Sequence, residues 1–290
     1  MPINVLPAEP HRKGKRGVIR IFLLLTLLYA LLCAGGCALQ RRLIYFPTRL
    51  GPGIAEEAAD KEGFLAWRNR SGQIIGWYLR ASESASASVL VVHGNAGCAL
   101  DRVYIARPIH DAVPFDVYIM EYPGYGARGG SPNLSSLLAA GDEAFDALPQ
   151  NLPRYVVSES LGAGVAAHIA KTHPSAVGGM LLFAPYNNLA SVAQNKMPLL
   201  PAYFILLDRY NPAEWLKDYR GRIKIVLAEL DEVIPIKFGR RLYASYAGPK
   251  KFQVVPNAHH NDIAVQSPGW WRESFLFLQQ NSRMSPNQQK

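Results

Sequence analysis

The feature that most constrains how this chain can fold is an alternation of apolar, strand-like runs with stretches of helical spacing. Residues 88–92 form a nearly continuous apolar run, of the kind that is buried on both faces of a sheet. Residues 134–148 carry apolar side chains at helical spacing. Further strands are predicted at 73–80, 117–121, 155–157, 179–183, 223–228 and 252–255, and further helices at 162–171 and 270–280. We therefore expect an α/β fold with a mostly parallel central sheet and helices on both faces.

The strongest indication of chemistry is a serine at the junction of a strand and a helix. The sequence VVSESLGAG at 156–164 passes from an apolar strand through a tight turn into a helix of small residues, with Ser160 at the apex. Such a turn lifts the hydroxyl clear of its neighbours and points the helix N-terminus at it. The usual pattern is G-x-S-x-G, and this chain has Ser158 at the first position. A pattern this loose also occurs in a purely structural turn before a helix.

Two later loops supply the partners that a serine nucleophile needs. A serine hydroxyl reacts poorly without a base to take its proton and a carboxylate to hold that base. Asp231 follows the strand predicted at 223–228, and His260 follows the strand predicted at 252–255. An aspartate in a turn is often only a cap or a solvated charge. The chain order Ser, Asp, His after three separate strands is what favours a catalytic triad at one edge of the sheet.

A fourth loop follows the buried strand at 88–92. It reads HGNAG at 93–97. An oxyanion is stabilised in this geometry by one backbone N–H from such a loop and one from the residue after the nucleophile. We expect the backbone N–H groups of Asn95 and Leu161 to fill these two roles. Taken alone, the HG pair also indicates a simple strand-ending turn.

Five motifs together carry a resemblance to a known family. They are HGNAG at 93–97, EYPGYG at 121–126, SESLG at 158–162, DEVIP at 231–235 and AHHNDI at 258–263. The chain resembles the α/β-hydrolase superfamily over about residues 43–280, and within it depalmitoylase-like serine hydrolases and bacterial lipoprotein homologues. The resemblance implies that Asp231 is the acid and His260 the base. Glycine is common in the family where this chain has His259.

The implied activity is hydrolysis of a carboxylic ester or thioester through an acyl-enzyme intermediate on Ser160. An apolar insertion at 187–219 reads as a small lid, so we expect a small-molecule or lipid-like acyl substrate. Two other interpretations stay open. One is a membrane-anchored binding or scaffold protein that kept the fold without the chemistry, and the other is a serine peptidase.

The N-terminus predicts attachment to a membrane. Basic residues precede an apolar stretch in which positions 21–39 hold 19 consecutive uncharged residues, close to the length that spans a bilayer. One interpretation is an uncleaved transmembrane helix. The other is a signal peptide followed by lipidation of Cys37, because AGGC at 34–37 resembles a bacterial lipobox apart from Ala34. Both interpretations leave the catalytic domain on the extracytoplasmic, periplasmic side.

The predicted organisation has four parts. They are a basic and hydrophobic segment at 1–39, a tether at 40–62, an α/β-hydrolase domain at 63–282 with the lid at 187–219, and a polar tail at 283–290. Because this scheme puts the tether outside the sheet, we expect a chain without residues 1–40 to be soluble and active.

Composition argues against several other classes of protein. The net charge of +9 includes five basic residues against one acid in the first 20 positions, and no dense basic run remains to indicate nucleic-acid binding. The adjacent histidines at 259 and 260 lack the helical HExxH pattern or the cysteine cluster of a metal site. Cys98 is the single cysteine of the body, so an internal disulfide is excluded there. We expect no cofactor and no metal.

Overall fold

The computed structural model describes residues 13–82 and 84–280, so the polar tail expected at 283–290 and most of the basic N-terminus lie outside the described residues. The strands are β1 (Phe46–Pro47), β2 (Leu65–Arg68), β3 (Ile74–Leu79), β4 (Ala87–Val92), β5 (Ala96–Gly97), β6 (Phe115–Met120), β7 (Arg154–Glu159), β8 (Val177–Phe183), β9 (Arg222–Ala228) and β10 (Lys250–Val255). The α-helices are α1 (Lys13–Ile44), α2 (Pro52–Lys61), α3 (Val103–Ala112), α4 (Leu134–Asp146), α5 (Gly162–Thr172), α6 (Leu189–Lys196), α7 (Ala202–Ile205), α8 (Pro212–Trp215), α9 (Ile236–Ser245) and α10 (Pro268–Gln279).

Eight of the strands form one sheet in the order β10-β9-β8-β7-β4-β6-β3-β2. The pairs from β10 through β6 are parallel, and β3 pairs antiparallel with both β6 and β2. The expected α/β fold with a mostly parallel central sheet is thereby confirmed. The short strands β1 and β5 pair separately, with Phe46 opposite Ala96.

The core lies in two layers, one on each face of the sheet. In β4, Leu90 and Val92 belong to the cluster that holds helices α4 and α5, whereas Val89 and Val91 belong to the cluster that holds α3 and α10. Alternate residues of a strand face opposite sides of the sheet, so a strand covered by helices on both sides is apolar at nearly every position. This arrangement explains the continuous apolar run at 88–92.

The predicted strands and helices agree with the structure to within a few residues. The short strands β1 and β5 and the helices α2, α6, α7 and α8 were not predicted, and neither were α3, β2 and α9. Helix α3 contains Pro108, which interrupts a helical pattern. Strand β2 is only 4 residues long. In helix α9, two adjacent arginines stand in the sequence between the two large buried side chains, Phe238 and Leu242. The apolar spacing of this helix is therefore hard to recognise in the sequence.

Residues 40–62 carry more regular structure than the tether predicted there. Helix α1 continues through residue 40 to Ile44, and α2 occupies Pro52–Lys61. The helix persists because the residues after position 39 include good helix formers and contact the rest of the protein. Helix α2 buries Ala55 and Ala59 against the domain.

The segment between β8 and β9 contains α6, α7 and α8, and we call residues 187–219 the lid. The second half of α1 lies along it. The hydroxyl of Tyr29 donates to the carbonyl of Leu199 at 3.0 Å, and the side chain of Gln40 accepts from the N–H of Leu207 at 2.6 Å. Just beyond the helix, the Tyr45 hydroxyl donates to Asp208 at 2.8 Å. These hydrogen bonds, together with others from Gln40, Arg41 and Tyr45, join the N-terminal segment to the lid along its length.

Candidate active site

Ser160 occupies a strained turn between β7 and α5. Its φ of 52° lies in the left-handed region that residues with a Cβ rarely adopt. The turn is fixed on both sides, because Ser160 N–H donates to the carbonyl of Phe183 at 2.9 Å and the Ser160 carbonyl accepts from Ala163 at 3.0 Å. A Cβ at Gly162 would collide with the backbone carbonyl of Val92. The glycine after the serine is therefore required by the close approach of β4 to the turn.

The serine at position 158, where the family pattern has glycine, is accommodated inside the sheet. Ser158 lies in β7 opposite Val92 of β4 and Leu182 of β8. It is fully buried, and its hydroxyl has no hydrogen-bond partner among the described residues. The departure from the family pattern thus adds a small side chain to the core and does not alter the turn that holds Ser160.

Asp231 and His260 form a buried pair at the ends of β9 and β10. Nδ1 of His260 lies 2.8 and 2.9 Å from the two carboxylate oxygens of Asp231. Both side chains are almost fully buried. The carboxylate also accepts from the backbone N–H groups of Val233 at 2.9 Å and Ile234 at 2.7 Å, which fix its orientation. A carboxylate on Nδ1 favours a proton there and leaves Nε2 free to accept one.

The neighbouring imidazole, His259, is in a different environment. Its side chain is 57% exposed and lies 3.1 Å from Glu232, which is also at the surface. The backbone N–H of Glu232 and the hydrogen bond from His259 lower the pKa of the Glu232 carboxyl. Of the two adjacent histidines, only His260 is both buried and held by a fixed carboxylate.

Ser160 lies at the same edge of the sheet as this pair. It follows β7, while Asp231 follows β9 and His260 follows β10, and these strands are parallel. The loops of the acid and the base are joined by the N–H of Leu230, which donates to the carbonyl of Ala258 at 3.0 Å. In the part of the chain that the structure describes, no hydrogen bond joins the Ser160 hydroxyl to His260. Such bonds often tighten only when substrate is bound.

The loop after β4 has its carbonyl groups fixed one after another. The Tyr122 hydroxyl donates to the His93 carbonyl at 2.7 Å, and Nδ1 of His93 lies 2.8 Å from the carbonyl of Gly94. The Asn95 carbonyl accepts from the Tyr125 hydroxyl at 2.7 Å. Within the described residues, the backbone N–H of Asn95 and that of Leu161 donate to no protein acceptor. Both predicted oxyanion donors are therefore free for a ligand.

A buried ion pair connects this loop to the turn of the serine, and sequence patterns gave no sign of it. Nε of Arg102 lies 2.9 Å from the carboxylate of Glu159, the residue before Ser160, and its Nη2 donates to the carbonyl of Ala96 at 2.9 Å. The Tyr104 hydroxyl donates to the same carboxylate at 2.9 Å. Arg102 thus fixes the loop of the oxyanion donors relative to the turn. Its partners are distant in the sequence, which is why no motif marks it.

A cavity of about 390 Å³ opens beside Ser160. Asn95 and Leu161 lie in its lining with the serine, next to Tyr186 from the loop after β8. The remaining lining comes chiefly from α1 and the lid and is almost wholly apolar, with Lys196 its single charged residue among the described positions. Apolar cavities with a few polar groups at one end are typical of small-molecule sites. The lining of this cavity therefore suits an apolar ligand.

Helix α1 forms part of the cavity wall. Leu32, Gly36 and Gln40 line it, and the carbonyl of Ile44 accepts from the side chain of Asn95 at 2.6 Å. The expectation of an active chain without residues 1–40 rested on this segment lying outside the sheet; it does lie outside the sheet, but it also lines the cavity beside Ser160, and the activity of the shortened chain stays a prediction. The contacts between α1 and the lid join residues about 170 positions apart, so local patterns could not reveal them. The predicted lipidation residue, Cys37, lies in α1 next to Gly36.

Among known proteins, relatives of this chain share most of its length. A family model described as serine aminopeptidase, S33, matches residues 83–212. An uncharacterized protein of Mycobacterium tuberculosis is 32% identical over 232 residues, which cover 77% of this chain and 81% of that protein. The lysophosphatidylserine lipase ABHD12 of Mus musculus is 28% identical over 229 residues, which cover 69% of this chain and 56% of the lipase. The chain therefore spans little more than half of that lipase.

Solved structures with the same fold include two esterases. Est1E of Butyrivibrio proteoclasticus with bound ferulic acid matches with a TM-score of 0.61 at 13% identity, over 73% of this chain and 98% of that chain. The esterase Pf2001 of Pyrococcus furiosus matches with a TM-score of 0.58 at 14% identity, over 81% of this chain and 96% of that chain. At these identities the likeness concerns the fold. Together with the mycobacterial relative and the family model, it confirms the resemblance noted from the motifs: the chain belongs to the α/β-hydrolase superfamily.

Proposed function

We propose that this protein is a membrane-tethered serine hydrolase that cleaves carboxylic ester or thioester bonds through an acyl-enzyme intermediate. The observation that carries the proposal is the buried Asp231–His260 pair, 2.8 Å apart, at the same sheet edge as Ser160 in its left-handed turn. A buried aspartate on Nδ1 of a histidine, near a serine held in strain, is the arrangement that activates a hydroxyl for acyl transfer.

In this mechanism, Nε2 of His260 takes the proton of the Ser160 hydroxyl as its oxygen attacks the substrate carbonyl carbon. The oxyanion that forms accepts hydrogen bonds from the backbone N–H groups of Asn95 and Leu161. Collapse of this intermediate breaks the bond to the leaving group, which receives the proton from His260. A water molecule, deprotonated by His260, then attacks the acyl-enzyme and releases the acid.

The substrate that fits is an ester or thioester with an apolar acyl chain. The cavity beside Ser160 is lined by aliphatic side chains of α1 and the lid. Burial of apolar surface stabilises bound substrate by about 0.8 kcal/mol for each methylene, so a lining of this kind favours longer chains. The name of one relative, a lysophosphatidylserine lipase, points to the same class of lipid-like substrate.

A peptidase is the alternative that the description of the family model raises. An aminopeptidase must bind the charged α-amino group of its substrate, and a buried ammonium needs an acidic partner. None of the described residues that line the cavity is acidic, and Lys196 carries the opposite charge. The lining therefore favours an acyl ester or thioester over a peptide with a free N-terminus.

We also propose that α1 is retained as a transmembrane anchor with the catalytic domain on the extracytoplasmic side. More basic residues precede the apolar stretch than closely follow it, which favours a cytoplasmic N-terminus. Cleavage before Cys37 would remove Leu32 and Gly36 from the cavity lining. The wall of the cavity thus favours the uncleaved anchor over the lipidated form.

The test is the hydrolysis of p-nitrophenyl butyrate by the full chain in detergent, compared with two serine variants. Ser160→Ala should lower kcat/KM by about 10³-fold or more, as removal of a triad member does. Ser158→Ala is the matched control, since Ser158 is buried and does not line the cavity. Full activity of the Ser160→Ala chain would refute the mechanism. Absence of turnover in the wild-type chain would favour the scaffold interpretation.

A further inference from the structure

The length of α1 determines how deep three of its residues lie in a bilayer. One helix in the described part of the chain, Gly17–Ile44, is long and apolar enough to cross a membrane. A crossing takes about 20 residues. The earliest such stretch in this helix is 17–36 and the last is 25–44, so every placement includes residues 25–36. Tyr29, Leu32 and Gly36 therefore lie at the depth of the hydrocarbon wherever the helix crosses.

The lid reaches the same depth, because it contacts these residues directly. The Tyr29 hydroxyl donates to the carbonyl of Leu199 at 3.0 Å. A Cβ on Gly36 would lie 3.8 Å from the side chain of Ile205 and 3.9 Å from that of Leu200. The tip of the lid, residues 197–207, therefore packs against the part of α1 that lies in the membrane in every placement.

The composition of the lid tip suits hydrocarbon. Residues 197–207 read MPLLPAYFILL and carry no charge. Leu199 is 85% exposed, Phe204 75% and Leu207 59%, although they are among the most apolar side chains of the domain. An exposed apolar patch continuous with a membrane helix is expected to face lipid.

The backbone of the turn 197–201 is also prepared for a medium without water, in which unpaired polar groups are costly. Two of its five residues are prolines, which have no N–H. The carbonyl of Leu199 accepts from Tyr29, and that of Leu200 accepts from the side chain of Gln194 at 2.9 Å. The same amide lies 3.4 and 3.5 Å from the carbonyl oxygens of positions 197 and 198. Side chains thus contact every carbonyl from 197 to 200.

Basic residues border this apolar surface where headgroups would lie. Arg41 and Arg42 are the first charged residues of α1 after the apolar stretch. Asp208 ends the uncharged part of the lid, and the next residue, Arg209, donates to the carbonyls of Phe204 at 2.6 Å and Leu206 at 2.8 Å. Arginines at this level are favoured near the phosphates of a bilayer surface.

From these contacts we infer that α1 and the lid tip enter one leaflet together, and that the cavity takes its acyl chain sideways from that leaflet. The substrate is then a lipid that stays in the bilayer while its carbonyl reaches Ser160. The inference rests on the proposed function and adds to it the source of the substrate and the route of entry. Leu32 and Gly36 line the cavity at hydrocarbon depth, so an acyl chain need not pass through water.

The route can be tested separately from the chemistry with two fluorophosphonate probes, which form a phosphonate ester with an activated serine and expel fluoride. One probe is short and water-soluble, and the other carries a hexadecyl chain and is dissolved in phosphatidylcholine vesicles that hold the full chain. The measured quantity is the ratio of the two labelling rates. Because both probes react only with folded active sites, the ratio does not depend on the fraction of the chain that is folded. If neither probe labels the wild-type chain, the proposed function fails. If only the short probe labels it, the lateral route fails.

Leu199→Asp should lower the rate for the vesicle-bound probe at least about 10-fold relative to the rate for the soluble probe, because a carboxylate is excluded from hydrocarbon. Leu276→Asp is the matched control, since Leu276 lies on α10 away from the lid and is 60% exposed. Phe204→Asp provides a second test at the lid. Equal effects of the lid variants on both probes, whether none or a loss, would overturn the inference.

Gly36→Leu tests the wall of the cavity in the same assay. The added side chain would fill the space between α1 and the lid, and each methylene of the probe that loses its place is expected to cost about 4-fold in rate. Gly35→Leu makes the same change on the adjacent position, where a Cβ meets no atom within 4 Å. We expect only Gly36→Leu to slow the hexadecyl probe selectively. Equal rates for the two variants would show that α1 does not form part of the site that holds the hexadecyl chain of the probe.

Discussion

Replacing Ser160 by glycine should make the protein more stable than replacing it by alanine. The φ of 52° puts Ser160 in the left-handed region, where a Cβ costs roughly 1–2 kcal/mol. Alanine keeps this strain and glycine removes it, but glycine costs about 0.5–1 kcal/mol in conformational entropy of the unfolded chain. The difference leaves Ser160→Gly about 0.5–1 kcal/mol more stable. For a domain of this size that is a rise in Tm on the order of 2 °C.

The assay is thermal unfolding of the two variants in the same detergent, so that effects of the detergent and of the lost hydroxyl cancel. The matched control is the pair Ser158→Gly and Ser158→Ala, two residues earlier in an extended strand. There no strain is relieved, and the glycine variant should melt lower because it carries the entropy cost and also loses a buried Cβ. A Ser160→Gly chain that melts at or below Ser160→Ala, while the control pair behaves as expected, would refute the strain argument.

Three further predictions concern other parts of the chain. His260→Ala should lower kcat/KM for a p-nitrophenyl ester about 10³-fold or more. His259→Ala, at an exposed position, should change it less than about 10-fold. The reverse order would show that His259 is the base. Burial lowers the pKa of Lys224 to about 8. The unfolded chain therefore binds more protons between about pH 8 and 10, so stability measured by urea unfolding should rise with pH in that window, and Lys224→Met should reduce the rise. Cys37→Ser should change the mass of the mature protein only by the difference between the two side chains and should leave its membrane attachment unchanged, whereas a mature N-terminus at Cys37 with bound lipid would contradict the uncleaved anchor.

Much of the fold could be predicted because the responsible rules are local. The run at 89–92 is apolar at every position since β4 is covered on both faces. Ser160 was found because a strand, a sharp turn and a small-residue helix follow one another in the sequence, and its partners follow later strands in a fixed order. The structure brings Asp231 and His260 into contact, as that order predicts.

The features that sequence patterns missed depend on contacts between distant segments. Arg102 and Glu159 are 57 positions apart, and neither residue type marks a pair that fixes the loop of the oxyanion donors. Tyr29 and Leu199 are 170 positions apart. The uncharged run at 21–39 predicts a membrane segment, but the wall of an apolar cavity favours the same composition as lipid. The three-dimensional arrangement is needed to show that α1 also lines a cavity.

The central claim is that Ser160 is the nucleophile, and the most direct measurement is the site of a covalent adduct. The full chain is treated with a fluorophosphonate, digested and analysed by peptide mass spectrometry. We expect a single adduct on the peptide that contains Ser160, absent from Ser160→Ala and strongly reduced in His260→Ala. An adduct on another residue would contradict the assignment of Ser160 as the nucleophile. Full labelling and full ester turnover by the Ser160→Ala chain would also contradict it.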